Sequence, residues 1–291
     1  MLDGFLNLLK PPGMSSFDAI RFLKKLLPKA HKIGHMGTLD PLAAGVLPIG
    51  LGAATRLFDY VSDKEKHYIA EIRFGAETST QDAAGFVTKT APPPETDAVL
   101  ALLPRFVGEI EQVPGAYSAI HVGGRRSYEL ARAGEAAPLP PRRVQIHAIE
   151  PLGSLSPHSL TLSIRCGRGT YVRSLAEDLG RAAGSRAYLA MLLRAESGPF
   201  TLEEAQSPAE LLAAAESGNW PLLPMDFPLS ALPGVVLPET LLKKVQNGAA
   251  IPNEGGVPEG SACRVYVGPR FAGIARASES FLRFQAMLLR Q

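Results

Sequence analysis

Residues 34–49, Gly-His-Met-Gly-Thr-Leu-Asp-Pro-Leu-Ala-Ala-Gly-Val-Leu-Pro-Ile, put one carboxylate and one imidazole into a single loop that runs into an apolar strand. Pro41 pushes Asp40 toward extended backbone, and Gly34, Gly37 and Gly45 allow close approaches that a side chain would block. A loop so constrained can present a carboxylate rigidly, which makes Asp40, with His35 five residues before it, a candidate active site. Taken alone, an Asp-Pro pair only orders a turn. His31 and His35 have helical ligand spacing, but Gly34 lies between them and no acid accompanies them, so no metal site is expected. Cys166 and Cys263 are too few and too far apart for a disulfide framework or a zinc cage.

An ionised carboxylate in such a loop calls for a cation nearby. Arg173 is the candidate, because residues 172–179 carry an apolar stripe of Val172, Leu175, Ala176 and Leu179 that predicts a helix starting near Thr170. An arginine in the first turn sits at the unfavourable end of the helix dipole, which fits placement for a partner carboxylate. A surface arginine reaching a phosphate is the plain alternative. Tyr68 falls on the apolar face of an alternating run, Tyr68, Ala70, Ile72 and Phe74, where core packing is the default role of a tyrosine.

The elements that must hold these groups can be read from periodicity. Residues 5–9 read as a short strand, and Ser16 as the cap of a helix with Ala19, Ile20, Leu23, Leu26 and Leu27 inward until Pro28. Residues 53–61 have helical character, residues 66–74 and 159–166 alternate as half-buried strands, and Gly184 is a natural stop for the helix after Thr170. Strands and helices mix without a regular repeat, so the expected fold is α+β with a mixed, largely antiparallel central sheet flanked by helices. Five prolines between 219 and 238 read as a linker or strap, which places a boundary near residue 230. Beyond it lie a short helix candidate, 238–247, and two β-like runs, 262–267 and 271–276.

Composition bounds the class. A chain of 291 residues, 46% hydrophobic, can bury a sizeable core. No apolar run is long enough to span a bilayer, and the first residues lack the basic region and apolar core of a secretory signal, so a cytoplasmic location without membrane contact is expected. The net charge of +2 hides two blocks. Residues 10–32 carry Lys10, Arg21, Lys24, Lys25, Lys29 and Lys32 against Asp18, while residues 195–242 carry seven acids and no Lys or Arg. Further arginines stand at 125, 126, 132, 142 and 143, and near the end at 264, 270, 276, 283 and 290. One basic face suited to phosphates is expected.

The loop around Asp40 resembles the catalytic motif of bacterial tRNA pseudouridine-55 synthases, approximately Gly-His-x-Gly-x-Leu-Asp-Pro-x-Ala-x-Gly-x-Leu, at every fixed position. The similarity continues in order through Lys10-Pro11-Pro12-Gly13-Met14-Ser15-Ser16, Lys66-His67-Tyr68, residues 75–85, residues 114–129, and Gly169-Thr170-Tyr171-Val172-Arg173. It covers most of residues 5–200. The resemblance implies a pseudouridine synthase domain over 1–230 and a short PUA-like RNA-binding β module over 231–291. It implies isomerisation of uridine 55 in the T loop of tRNA without redox cofactor, metal or guide RNA; a monomer is the default expectation.

Among residues, the resemblance makes Asp40 the group that assists glycosidic cleavage, as a nucleophile or through elimination. Arg173 becomes its partner, and Tyr68 the ring against the uracil. The target uridine is stacked in a folded loop and must be extruded; His35 would fill or brace the vacated space. Lys10 would support the catalytic loop, a phosphate contact being equally open. Leu192 would close the apolar side of the pocket, with Tyr171 and Asp82 as further substrate-side positions. The stretch 75–85 reads as a mobile loop that orders on RNA, and Tyr117-Ser118-Ala119 with Arg125 and Arg126 as an RNA-facing segment. His121 and Leu193 depart from the family's usual lysine and arginine. Two further readings stay open: an RNA-guided pseudouridine synthase, which has a longer PUA region, and a noncatalytic tRNA-binding or tRNA-folding protein on the same scaffold.

Overall fold

The computed structural model describes every residue except Met1, Lys29, Ala30, Ser62, Asp63, Ala119, Ala136, Ala137, Ser156, Arg290 and Gln291. Lys29, Ala119 and Arg290, named above for RNA contacts, therefore lie outside the described residues.

The chain opens with β1 (Gly4–Lys10), α1 (Ser16–Leu26), β2 (Ile33–His35) and β3 (Ala44–Leu51). A 3-10 helix, Gly52–Tyr60, then leads to β4 (Lys66–Phe74) and the hairpin β5 (Ala76–Thr78) and β6 (Val87–Thr90). Next come α2 (Thr96–Leu102), β7 (Gly108–Gln112), a small hairpin of β8 (His121–Val122) and β9 (Arg125–Arg126), and α3 (Ser127–Arg132). The long strands β10 (Arg142–Gly153) and β11 (Ser159–Cys166) precede α4 (Val172–Ala182), β12 (Ala187–Ser197), β13 (Phe200–Thr201) and α5 (Pro208–Ser217).

Among the described residues the central sheet has nine strands, ordered β1-β3-β12-β4-β11-β10-β7, with β2 on β3 and β13 on β12. Every pairing in it is antiparallel except β12 with β3, where Leu193 faces Ala44 and Arg194 faces Gly45. The sheet is thus mixed and largely antiparallel, as the sequence pattern predicts. Period-2 alternation sets its inner face: Tyr68, Ala70, Ile72 and Phe74 of β4 are buried beside Leu160, Leu162, Ile164 and Cys166 of β11. Helix α4 lays Val172, Leu175, Ala176 and Leu179 into the same core, and α1 adds Ala19, Ile20 and Leu23. Burying one such side chain stabilises by roughly 1.5–3 kcal/mol, so these faces outweigh any local propensity.

Two helix starts differ from the sequence reading. The cap of α1 is Ser15, not Ser16: its hydroxyl accepts from the Asp18 amide at 3.0 Å, and the Asp18 carboxylate accepts from the Ser15 amide at 3.1 Å. Thr170 does not cap α4; its hydroxyl donates instead to the Gly167 carbonyl at 3.1 Å, and Tyr171 stands at the cap position. The stretch 75–85 spans β5 and the turn that joins it to β6. It belongs to the β5–β6 hairpin, with Thr78 and Asp82 buried.

A second sheet follows α5, made of β14 (Gly234–Leu237), β15 (Ile251–Pro252), β16 (Ala262–Val267), β17 (Arg270–Ser278) and β18 (Phe281–Met287), with α6 (Leu242–Gln246) beside it. Its order is β14-β16-β17-β18-β15, a small β module with its own core around Val265, Val267, Ala272 and Leu282. A third apolar cluster joins the two sheets, with Ile274, Ala286 and Leu288 packed against Phe5, Leu57 and Phe200. Arg56 adds a hydrogen bond to the Met287 carbonyl at 2.6 Å.

Candidate active site

The Asp40 loop connects β2 to β3 and is tied down from beneath. Ser16 uses its hydroxyl on Leu39, donating to its carbonyl at 3.0 Å and accepting from its amide at 2.8 Å. The Gly13 amide donates to the Pro41 carbonyl at 2.7 Å, and the Ala43 amide to the Asp40 carbonyl at 3.1 Å. Two glycines are required here. Gly37 has φ of 101° and Gly45 has φ of 110°, a region that side chains disfavour. A Cβ on Gly45 would also lie 2.2 Å from the Arg194 carbonyl oxygen, so the parallel β3–β12 junction exists only with glycine there.

Lys10 lies under this loop, fully buried, and donates to the carbonyls of Pro11 at 2.8 Å and Met14 at 2.5 Å. Burial lowers its pKa to about 8; the Asp40 carboxylate opposes that fall and the Arg194 guanidinium adds to it. An ammonium enclosed in this way has no surface to offer a phosphate. Lys10 does not line the cleft that Asp40 faces, and its bonds to the Pro11 and Met14 carbonyls lie within its own turn.

Arg173 occupies the second position of α4 and is 6% exposed, against 34% for the Asp40 side chain. Its Nη2 donates to Asp40 Oδ1 at 3.2 Å, and its Nε lies 2.8 Å from Oδ2. The Nε contact is one of charge: its N–H points aside and finds no directed acceptor among the described residues. The same guanidinium donates to the carbonyls of Thr80 at 3.1 Å and Tyr117 at 2.9 Å. Asp82 lies 4.0 Å from the same Nε. One cation thus serves two carboxylates, with its guanidinium also held by backbone carbonyls from two separate segments. The start of α4 is itself held by Gln112, which accepts from the Tyr171 amide at 3.1 Å and donates to its carbonyl at 3.3 Å.

Asp40, Arg173 and Tyr68 face one cleft of about 490 Å³, which His35, Tyr171 and Leu192 also line. That volume falls in the range of small-molecule sites. Tyr68 is 8% exposed, and burial raises its pKa, with the Arg194 guanidinium acting in the opposite direction. Its phenol is a neutral group at pH 7. His35 lies at the end of β2, and its pKa is lowered by burial first and then by the charges of Arg194 and Arg126, so it is neutral as well. The Tyr171 ring lies at the mouth, with the Arg142 guanidinium 5.7 Å from its centroid. Arg125 and Arg126 are exposed on the β8–β9 hairpin, and Arg125 is paired with Glu135 at 2.7 Å. Asp82 is buried, its backbone and side chain bonded within its own turn, so it meets the site through Arg173 and not through the open cleft.

Two residues at this site had no signal in the sequence reading. Gln112 closes a short strand of alternating exposure, and Arg194 follows an apolar run. Among the described residues no group of three His, Cys, Asp or Glu side chains is arranged to hold a metal ion. A carboxylate held by a guanidinium beside a buried phenol, in an apolar-walled cleft rimmed by arginines, suits chemistry on a flat polar ring attached to a phosphate backbone.

Residues 24–172 match the family described as TruB family pseudouridylate synthase, N-terminal domain, a span that includes Asp40 and Tyr68 and stops one residue before Arg173. The protein named tRNA pseudouridine synthase B of Syntrophomonas wolfei is 42% identical over 87% of this chain and 86% of its own length. Its namesake in Bacillus licheniformis is 41% identical over 88% and 85%. Among solved structures, an H/ACA RNP bound to a substrate RNA containing 2'-deoxyuridine superposes with a TM-score of 0.73 over 99% of this chain and 85% of the other. At 23% identity that likeness speaks for the fold alone.

Proposed function

This chain belongs to the TruB family of pseudouridylate synthases, and on that premise we propose that it isomerises uridine 55 in the T loop of tRNA, with Asp40, Tyr68 and Arg173 carrying the chemistry. Isomerisation of uridine to pseudouridine in tRNA accords with the name its relatives bear at about 40% identity over most of their length. The observation that carries the residue assignment is the convergence of one anchored carboxylate, its guanidinium and a buried phenol on a single cleft.

The reaction breaks the bond from C1′ to N1, turns the uracil ring, and forms the bond from C1′ to C5. The C5 proton leaves to solvent and N1 gains one, so no oxidant or reductant is consumed. Asp40, oriented by Arg173, assists the cleavage and holds the fragments together. Burial fixes the plane of the Tyr68 ring, against which the uracil stacks, and Leu192 excludes water on that side. His35, neutral at pH 7, braces the loop from which the uridine has been drawn, while Arg125 and Arg126 meet the backbone. Tyr171, under Arg142, adds a stacking face at the mouth.

On this reading residues 1–230 form the catalytic unit and residues 231–291 an RNA-binding module. The enzyme works as a monomer in the cytoplasm. Action without a guide RNA is supported by the relatives named for tRNA, which match at far higher identity than the H/ACA assembly. No helix among the described residues is long and apolar enough to cross a membrane. The test uses unmodified tRNA transcript labelled with tritium at uridine C5 and the protein alone. The expected result is stoichiometric release, with chemical mapping placing one product in the T loop. Release that needs an added guide, or product spread over several loops, refutes the assignment.

A further inference from the structure

Arg194 is 1% exposed and is the largest fully buried side chain of the protein's described residues. A buried guanidinium is costly unless its donors are met, and each contact of Arg194 touches the site. Its Nε donates to the Val46 carbonyl at 2.7 Å, its Nη2 to Gly37 at 3.1 Å and its Nη1 to Thr38 at 3.4 Å. Gly37 and Thr38 belong to the loop that presents Asp40, and Val46 to the strand that follows it. Across the sheet, Arg194 is paired directly with Tyr68 in the β12–β4 ladder and with Gly45 in the β12–β3 ladder. Directly opposed residues in an antiparallel pair share a face, and both side chains line the same cleft as Asp40, where the guanidinium acts against the burial that raises the Tyr68 pKa. No carboxylate pairs with it among the described residues, so Arg194 is not half of a structural ion pair.

We infer that Arg194 is a positioning residue, one that locks the Tyr68 phenol and the Asp40 loop into a single unit. Arginine has donors and no acceptor. Any hydrogen bond between the two therefore has Tyr68 as acceptor, with its own O–H turned away from Arg194. The same fork holds two carbonyls of the loop, so the phenol hydroxyl and the carboxylate are set relative to each other by one rigid group. Lysine cannot replace it, because a single ammonium cannot span Val46, Gly37 and Tyr68 at once. The inference deepens the function proposed above and rests on it.

The test compares wild type with Arg194→Lys, Tyr68→Phe and the double variant, in single-turnover tritium release from labelled tRNA. Affinity and melting are measured alongside. Arg194→Lys is expected to slow turnover about 100-fold, the scale of an ångström misplacement in a preorganised site, with tRNA affinity within threefold of wild type. Tyr68→Phe should then cost much less in the Arg194→Lys background than in wild type, since both act through one hydroxyl. Additive costs, or normal turnover by a folded Arg194→Lys variant, overturn the inference. Should Arg194→Lys fail to fold, Tyr68→Phe alone decides by amide exchange. Removing the hydroxyl frees one guanidinium donor and is expected to speed exchange of the backbone over 37–46; unchanged exchange there overturns the inference. Absence of release by wild type would instead refute the functional reading.

Discussion

Replacing Lys10 with methionine separates loop support from phosphate contact. Lys10 is fully buried, and its pKa falls from 10.5 to about 8 on folding, burial being the main cause. Because the folded value is the lower one, the unfolded chain binds more protons between pH 8 and pH 10.5, and the stability of the wild type rises with pH across that window. Below pH 8 the lysine is charged in both states and contributes no slope. At about 1.36 kcal/mol per pH unit the interval amounts to about 3 kcal/mol at most, or very roughly 2 once water penetration is allowed for. Chemical denaturation at pH 7.5, 9 and 10.5 reads the difference between wild type and Lys10→Met, which is expected to grow in favour of the wild type by that amount. Salt titration of tRNA binding supplies the second half of the test. A phosphate-contacting lysine contributes about 0.7–0.9 to the slope of log K against log salt; Lys10→Met is expected to leave the slope unchanged. A reduced slope, or a stability difference that is flat above pH 8, would refute the burial argument.

Three further outcomes follow from the same geometry. Gly45→Ala places a methyl against the Arg194 carbonyl at a φ of 110°, and is expected to cost about 3 kcal/mol from backbone strain and lost pairing, lowering the melting temperature by roughly 10 °C. Arg173→Met leaves Asp82 and Asp40 without their shared cation and two carbonyls without a donor. It should destabilise the fold by about 3 kcal/mol, the low end for a broken buried pair because Asp40 is one-third exposed, and Arg173→Lys should not restore turnover. Arg126→Ala, at the exposed hairpin, should reduce the salt slope of tRNA binding by about one contact, roughly 0.7–0.9, with unchanged thermal stability.

The sequence made the periodic elements legible and left the convergent ones hidden. Strands β4 and β11 match their expected limits because alternation of apolar residues is a local property that the sheet does not override. Helix α4 and its Gly184 stop follow from the same logic, although the cap moved from Thr170 to Tyr171 because the threonine hydroxyl is drawn back to Gly167. The stretch 75–85 is polar and glycine-bounded, which reads as a loop; the sequence does not show the pairing of Asp82 with Leu189 that holds its turn against β12. In the C-terminal module, β18 turns Leu282, Phe284 and Ala286 inward against Arg283 and Gln285, a period blurred at its ends by the apolar Phe281 and Met287. The dipole argument gave a partner for Asp40 without locating it. Arg194 could not be found that way, since a lone arginine in an apolar strand carries no local mark of what its guanidinium meets. Only the β12–β3 and β12–β4 registers reveal it.

The central claim is that the Asp40 carboxylate itself performs the isomerisation. Asp40→Asn keeps the shape and the Arg173 contact while removing the charge, and single-turnover tritium release beside a tRNA binding titration measures it directly. The account predicts no detectable release with affinity within about tenfold of wild type, a difference of no more than about 1.4 kcal/mol. Turnover near the wild-type rate by the folded Asn variant would contradict it.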